Sequence, residues 1–210
     1  MMQRLFDLIL SGIALIILFP FLLIIILILM FTGEGEIFYK QNRVGKNMVS
    51  FNLIKFATML KNSEKKGAGT ITLKNDFRVL PFGKFLRKTK LNELPQLLNI
   101  FIGQMSVIGP RPLHNKQFSF YSDDDQKIIS SIRPGLSGLA SIIFRDEEKI
   151  LQNSNDSEKT YKEKIIPRKA MLEKWYIKNQ SIYLYFKLII LTLLVVLIPS
   201  INISRFFDDI

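Results

Sequence analysis

Residues 83–112 read GKFLRKTKLNELPQLLNIFIGQMSVIGPRP, and they join a basic segment to an apolar helical run. Four apolar residues recur at helical spacing, which predicts a helix with one buried face. They are Leu94, Leu97, Leu98 and Phe101. Pro95 lacks a backbone N–H and is tolerated only in a first turn, so we predict that the helix begins near Asn92, with Asn92 as its N-cap. Because the preceding residues are rich in Lys and Arg, this helix start is a predicted anion site.

The composition limits the kinds of site that the chain can form. It has 210 residues, no Cys and a single His, His114, so disulfides, Cys-ligated metals and multi-His metal sites are excluded. The formal net charge of +11 indicates an anionic partner such as lipid headgroups or nucleotides. We expect no nucleic acid, because the sequence lacks zinc-finger, RNP and helix-turn-helix patterns and a hydrophobic segment dominates its N-terminus.

The segment 8–31 carries no charged residue and is long enough to cross a bilayer. Pro20 lies near its middle and predicts a kink, since proline removes one backbone hydrogen bond. Two arrangements follow: a kinked helix that spans the membrane, or a helical hairpin that enters and returns on the same side. Basic residues flank both ends, which favours the second arrangement. They are Arg4 before the segment and Lys40, Arg43 and Lys46 after it.

Shorter elements are predicted along the rest of the chain. Extended pieces are expected at 36–56 around a polar turn at 42–47, because Ile37, Phe38 and Tyr39 favour a strand and Phe51 and Leu53 alternate along the sequence. A second apolar run, Leu188–Ile198, is too short to span comfortably and is predicted to be interfacial or buried against protein. The aromatic residues ahead of this run are typical of membrane-interface anchors. They are Trp175, Tyr176, Tyr183 and Tyr185.

Several ordered motifs resemble those of the bacterial sugar transferases, which are small monotopic phosphoglycosyl transferases. The resemblance covers nearly the whole chain, including the N-terminal membrane helix with its proline. The motifs are Lys55-Phe56, Asn75-Asp76, Gly83-Lys84-Phe85-Leu86-Arg87-Lys88-Thr89, Glu93-Leu94-Pro95-Gln96-Leu97, Met105-Ser106-Val107-Ile108-Gly109-Pro110-Arg111-Pro112 and Arg133-Pro134-Gly135-Leu136-Ser137-Gly138.

The resemblance implies a reaction, a cofactor and a location. Such enzymes transfer a sugar-1-phosphate from a UDP-sugar to undecaprenyl phosphate, release UMP and need Mg²⁺. They act at the cytoplasmic face of the bacterial inner membrane and start O-antigen, capsule, exopolysaccharide or glycoprotein glycan assembly. The usual mechanism places an Asp-Glu pair at a helix start, where the Asp attacks the β-phosphate and the lipid phosphate then attacks the phosphosugar-enzyme. Membrane lipid is a further expected partner, and a homodimer stays open.

The matching positions supply the expected site residues. Asn92 and Glu93 take the catalytic positions, and Glu93 is also the expected Mg²⁺ ligand. The basic residues expected to bind substrate phosphates are Lys55, Arg87, Arg111 and Arg145. Each has an ordinary alternative: Glu93 can complement the helix dipole, and the basic residues can lie on solvated faces or in surface ion pairs.

Asn92 stands where the family has its nucleophilic Asp. An amide is no useful anionic nucleophile, and it binds Mg²⁺ less strongly than a carboxylate. Three interpretations follow: Glu93 is the nucleophile, the lipid phosphate attacks the nucleotide sugar directly, or the protein is inactive, by nature or as an engineered trap. Gln104 and residues 141–144 also depart from the family pattern, which leaves the identity of the sugar open.

The expected fold is α+β and helix-rich, in a monotopic membrane protein with interfacial amphipathic helices. We expect a Pro-broken, re-entrant helical hairpin at 1–32, a cytoplasmic catalytic domain at 33–180, and a C-terminal interfacial or apolar helix and tail at 181–210. Two rival functions remain: a membrane-bound scaffold without activity, and a glycosyl transferase that moves the sugar without its phosphate. Release of UMP rather than UDP separates the expected activity from the second rival.

Overall fold

The structure, a computed structural model, describes residues 2–63, 76–152, 156–198 and 201. It confirms the α+β, helix-rich class. The helices are α1 (Met2–Met30), α2 (Pro81–Lys88), α3 (Gln96–Phe101), α4 (Asn115–Phe118), α5 (Asp123–Ser130), α6 (Leu139–Ile143), α7 (Glu147–Gln152), α8 (Ser157–Thr160), α9 (Ile166–Lys178) and α10 (Ile182–Leu197). The strands are β1 (Phe38–Val44), β2 (Ser50–Phe56), β3 (Ser106–Ile108) and β4 (Gly135–Ser137). Asn75 of the Asn75-Asp76 motif and residues 199–200 and 202–210 of the tail lie outside the described residues.

The N-terminal apolar segment forms one helix, α1, of 29 residues. At 1.5 Å per residue it is about 44 Å long, enough to cross a bilayer. Pro20 lies inside α1 without a turn between two helices, because a helix can continue past the loss of one backbone hydrogen bond. The structure thus describes one continuous helix here, and the predicted re-entrant arrangement, in which the segment returns to the cytoplasmic side, stays a prediction.

One side of α1 contacts the globular part of the chain from end to end. Leu15 and Leu18, near its middle, pack on a core cluster built from β2 and α3 residues. Ile25 and Leu29, near its C-terminal end, pack with Phe56 and Leu86. The opposite side of α1 exposes large apolar side chains along its length: Ile9, Ile13, Ile16, Ile17, Phe19, Leu23, Ile24, Leu27 and Ile28. An exposed apolar surface of this extent indicates contact with lipid or protein.

Polar contacts fix the first turns of α1 to the domain. Asp7 is 1% exposed, and its Oδ1 accepts hydrogen bonds of 2.9 Å from Ser106 Oγ, from the Val107 N–H and from Tyr185 Oη. Arg4 donates to the carbonyl oxygens of Ile100 at 2.6 Å and Phe101 at 2.7 Å, at the end of α3. One oxygen of this buried carboxyl group thus has three hydrogen-bond donors, which offsets the cost of its burial.

Strands β1 and β2 form the predicted extended pieces as an antiparallel hairpin. Its register pairs Tyr39 with Lys55 and Arg43 with Phe51. Because directly opposite residues point to the same face, Lys55 and Arg43 lie on one side of the hairpin. Asn99 joins α3 to this hairpin: its Nδ2 donates to the Asn52 carbonyl at 2.9 Å, and its Oδ1 accepts the Ile54 N–H at 3.0 Å.

Strands β3 and β4 run parallel and meet at glycines. A Cβ on Gly109 would lie 2.6 Å from the Arg133 carbonyl oxygen, and one on Gly135 would lie 2.1 Å from the Gly109 nitrogen. The Gly135 N–H donates to the Pro110 carbonyl at 2.8 Å. This close approach fixes the Pro110–Pro112 turn, and with it the backbone of Arg111.

Helix α10 has one face in the core and one face exposed. Leu184, Tyr185, Leu188 and Leu191 are buried, whereas Ile190, Leu193, Val196 and Leu197 are exposed. Two of the predicted interface aromatics are core residues instead: Tyr176 is 1% and Tyr185 is 2% exposed. Their hydroxyls have partners inside the protein, since Tyr176 donates to the Ile108 carbonyl and Tyr185 to Asp7. Tyr183 is 76% exposed, and its place at the membrane interface stays a prediction.

Candidate active site

The segment 90–101 begins with a turn, not with the predicted N-cap. Lys90 has φ 60° and ψ 9°, in the left-handed region, and a short 3₁₀ helix at Leu91–Glu93 leads through Pro95 into α3. Asn92 is therefore the second residue of the 3₁₀ turn, so the prediction of an Asn92 N-cap is wrong. Its Oδ1 is buried and has no hydrogen-bond partner. An orphaned buried oxygen beside Glu93 is an available ligand atom.

Glu93 is the carboxylate on which the site is built. Its Oε1 lies 3.1 Å from Lys55 Nζ and 3.2 Å from Arg111 Nη2, and its side chain is 17% exposed. Burial would raise the pKa of Glu93, but the positive charges of Arg111, Lys55 and Lys90 outweigh this effect and hold the pKa well below its usual range. Glu93 is thus ionised at neutral pH.

Arg43 is a further cation at this site. Its Nη1 donates to the Pro112 carbonyl at 3.3 Å, so it contacts the turn that carries Arg111. Burial and the charge of Arg111 lower the pKa of Arg43 to about 10, and burial lowers the pKa of Lys55. Arg43 Nε is buried without a hydrogen-bond partner. Four cations, including Lys90, therefore act on one carboxylate, which leaves the site with an excess of positive charge suited to phosphates.

The other two predicted phosphate ligands lie apart from Glu93 in different ways. Arg87 is half-buried in the last turn of α2, and its carbonyl accepts the Lys90 N–H at 3.2 Å, so it flanks the 3₁₀ turn that carries Asn92 and Glu93. Arg145 follows α6, and its guanidinium contacts Asp146 at 3.4 Å and the Ile201 carbonyl at 3.2 Å. Lys55 and Arg111 are thus the predicted ligands that the structure joins to Glu93.

A buried polar network lies behind Arg111. Glu173 of α9 is 3% exposed, its Oε2 is buried without a hydrogen-bond partner, and the Arg111 backbone N–H faces its carboxyl group. Burial, partly offset by Lys169, raises the pKa of Glu173 to about 7. Lys169 pairs with Glu147, and its Nζ lies 5.4 Å from the centre of the Tyr161 ring. The network attaches the Arg111 turn to α9.

Sequence reasoning missed Arg43 and Glu173 as neighbours of the site. The signal for Arg43 was present, because the strand alternation seen at Phe51 and Leu53 extends to Lys55, and pairing then brings Arg43 to the same face. No local pattern marks Glu173, since its partner Arg111 lies far away in sequence. Lys90 was recognised only as one charge among several.

The residues present fit a Mg²⁺ ion that arrives with phosphate ligands. No group of three or more His, Asp or Glu side chains within the described residues could hold a metal alone. However, Mg²⁺ is commonly bound by one or two protein oxygens together with substrate phosphates. Glu93 and the unpartnered Oδ1 of Asn92 supply such a pair of oxygens.

Comparison with known proteins gives a consistent result. Residues 1–199 match the family described as bacterial sugar transferase. The exopolysaccharide production protein ExoY of Rhizobium meliloti is 37% identical over 161 residues, which cover 70% of this chain and 71% of that protein. The UDP-glucose:undecaprenyl-phosphate glucose-1-phosphate transferase of Klebsiella pneumoniae is 35% identical over 196 residues, 90% of this chain and 39% of that protein.

A third relative is similar over a shorter segment. The UDP-N-acetylgalactosamine-undecaprenyl-phosphate N-acetylgalactosaminephosphotransferase of Aeromonas hydrophila is 36% identical over 146 residues, 67% of this chain and 34% of that protein. The chain thus spans little more than a third of the length of the two larger relatives, and about 70% of the length of ExoY.

Proposed function

Because this chain belongs to the bacterial sugar transferase family, we propose that it transfers a sugar-1-phosphate from a UDP-sugar to undecaprenyl phosphate and releases UMP, which starts a bacterial surface glycan. The observation that carries the proposal is the ionised Glu93 held by Lys55 and Arg111, with Arg43 and Lys90 nearby. An excess of cations around one carboxylate suits the phosphates of the donor and of the lipid acceptor.

The proposed location is the cytoplasmic face of the inner membrane, with the chain inserted from one side. The contacts of α1 support this placement, because its first turns bind Ser106 and Tyr185 while its last turns pack on Phe56 and Leu86. Here both ends contact one domain, and the exposed apolar face of α1 is left for lipid.

We propose direct attack by the lipid phosphate as the chemical step. An oxygen of undecaprenyl phosphate forms a bond to the β-phosphorus of the UDP-sugar, and the bond to the bridging oxygen breaks so that UMP leaves with the electron pair. Asn92 provides no nucleophile, and Glu93 is held by two cations, which reduces its nucleophilicity. Glu93 therefore orients Lys55 and Arg111, which stabilise the charge of the phosphates.

The metal has a limited role in this scheme. When bound, Mg²⁺ would be held by Glu93 and Asn92 together with the phosphates and would neutralise part of their charge. Asn92 contributes a neutral oxygen there in place of a second carboxylate. The cations of the chain then carry a larger share of the charge stabilisation.

The test separates direct transfer from a covalent intermediate. Purified protein is incubated with Mg²⁺ and a panel of UDP-sugars, with and without undecaprenyl phosphate, and UMP release is followed together with intact-protein mass. We expect UMP only when both substrates are present, with no change in protein mass. A sugar-phosphate adduct formed with UMP in the absence of lipid would reject direct attack and identify Glu93 as the nucleophile, and release of UDP would indicate glycosyl transfer.

A second candidate is a catalytically silent, membrane-bound scaffold with the same fold. Asn92 is the observation that favours it, because the amide stands at the nucleophile position. Asn92→Asp distinguishes the two candidates. UMP release by the variant alone would establish the silent scaffold, whereas release by the unaltered protein would reject it.

A further inference from the structure

Lys90 has an unusual backbone conformation next to the catalytic carboxylate. Its φ of 60° lies in the left-handed region, where a Cβ clashes and Gly or Asn is the ordinary residue. The described non-glycine residues that share this property are Asn47, Met48 and Asn62. Asn47 and Met48 form consecutive positions of the β1–β2 turn, a hairpin geometry that requires positive φ. Lys90 has no such hairpin requirement.

The turn brings the Lys90 side chain into the field of Glu93. The Lys90 carbonyl accepts the Glu93 N–H at 3.1 Å, so both residues belong to one turn of backbone. Lys90 also helps to keep Glu93 ionised. Within residues 2–63, 76–152, 156–198 and 201, Lys90 forms no ion pair, whereas Lys55 and Arg111 are both paired with Glu93. Its charge is thus available to a ligand.

We propose that Lys90 is a phosphate-binding residue of this site, retained in a strained turn because its ammonium contacts a phosphate of the bound substrates. This inference rests on the proposed function and adds a binding residue to it. Strained backbone positions concentrate at ligand sites, where the surrounding fold holds them. The exposed Lys90 side chain is long and flexible, so it can reach a phosphate that Lys55 and Arg111, which are held by Glu93, orient from the other side.

Three substitutions separate the charge from the backbone. Lys90→Gly and Lys90→Asn both remove the ammonium and both accept positive φ, so each should unfold at the same or a higher temperature than the unaltered protein. Lys90→Arg keeps the charge and the strain. Met48→Gly relieves a comparable turn away from Glu93, and Lys127→Gln removes an exposed charge from α5; these two are the matched controls.

Binding of UDP and of a short-chain polyprenyl phosphate is measured by calorimetry in Mg²⁺ buffer at low and physiological salt. We expect Lys90→Gly and Lys90→Asn to weaken at least one of the two ligands by about 10-fold, which corresponds to the loss of one charge-assisted contact. Lys90→Arg should stay within about twofold of the unaltered protein, and the salt dependence of binding should fall with the neutral variants. Weaker binding of UDP alone would show that Lys90 contacts the donor phosphates. Weaker binding of the lipid phosphate alone would show that it contacts the acceptor.

Two results would overturn the proposal. Unchanged affinity for both ligands in Lys90→Gly and Lys90→Asn would make Lys90 a turn residue only. Failure of Lys90→Arg to preserve binding would reject the role of the positive charge. In either case the unaltered protein still binds UDP, so the proposed function survives. Absence of UDP binding by the unaltered protein would reject both proposals together.

Discussion

At the scale of single residues, the balance between Glu93 and its cations decides what the site can bind. Glu93 offers one negative charge to Lys55 and Arg111, and each of these retains donors beyond that contact. An Arg guanidinium has five N–H donors in a fixed plane, and the Glu93 contact of Arg111 uses one of them. Loss of this planar set of donors and loss of the positive charge should therefore have different effects on phosphate binding.

Arg111→Lys keeps the charge and removes the planar fork. We expect kcat/KM for the UDP-sugar to fall at least ~10-fold, because a bidentate phosphate contact worth ~1.4 kcal/mol is lost. The measurement is UMP release at varied donor concentration. Arg168→Lys, at an exposed position of α9, is the control for the same chemical change. Identical kinetics in Arg111→Lys would show that the donor does not contact this guanidinium.

Glu173 predicts how stability depends on pH. Its pKa is about 7 in the folded protein against an ordinary value near 4.5, so between these values the folded state binds more protons than the unfolded state. The stability from protonated Glu173 is complete below about pH 4.5 and is lost as the pH rises through 7. The groups that face Glu173 are Lys169, Tyr121, Tyr176 and the Arg111 N–H.

Glu173→Gln mimics the protonated carboxyl and should remove this loss. We expect the variant to be more stable than the unaltered protein at pH 8, by on the order of 1–3 kcal/mol, and nearly equal to it at pH 4.5. Thermal unfolding in detergent across this range gives the comparison. Glu158→Gln, at an exposed surface ion pair, should show no such trend. A constant difference between pH 4.5 and 8 would contradict the raised pKa.

At the scale of elements, hydropathy and alternation predicted the helices and strands that form through contacts between residues close in sequence. The apolar helix α1 and the β1–β2 hairpin follow from hydropathy and alternation, and both are present. The start of α3 was misplaced because nothing in the sequence marks a lysine, Lys90, for the left-handed conformation. Burial of Tyr176 and Tyr185 was missed because their partners lie far off in the chain, and such pairings have no periodic signal.

The docking of α1 gives a prediction at this scale. Asp7→Ala removes the common acceptor of Ser106, Val107 and Tyr185, and it leaves these donors unpaired in the interior. We expect a loss of about 3 kcal/mol or more, a fall in Tm of roughly 6–12 °C. Thermal unfolding in detergent is the measurement. Asp124→Ala, an exposed carboxylate in the first turn of α5, should change Tm by about 1–2 °C at most, and an equal fall in the two variants would reject the docking role.

At the scale of the whole molecule, the exposed apolar faces of α1 and α10 form the surface available to lipid. Both belong to helices whose other face is in the core, so in the proposed arrangement these core helices hold the domain directly against the membrane. With the proposed substrates, a site held in this way would meet a soluble donor from water and a lipid phosphate from the headgroup layer. The height of the site above the hydrocarbon is thus set by packing within the protein.

Topology is the test of this arrangement. The chain has no Cys, so single cysteines at Met2 and Lys40, both exposed, report the two ends of α1. We expect both to be shielded from a thiol reagent restricted to the periplasm, because both ends contact the domain that we propose to be cytoplasmic. Labelling at Met2 alone would establish a spanning helix. Pro20→Leu restores the backbone N–H that proline lacks, so the variant should favour a spanning helix and increase labelling at Met2.

The Asp7–Tyr185 hydrogen bond has a consequence for the order of events during synthesis. The two residues are 178 positions apart, and at ~5–20 residues per second the ribosome needs about 10–35 s to go from one to the other. During that interval Asp7 lacks its Tyr185 donor, and for the first part of it the Ser106 and Val107 donors as well, which opposes deep entry of this end of α1 into hydrocarbon. We therefore expect nascent chains that end before Tyr185 to be released from membranes by alkaline carbonate more readily than complete chains. Formation of α10, which carries Tyr185, would then stabilise the membrane-bound state of the protein.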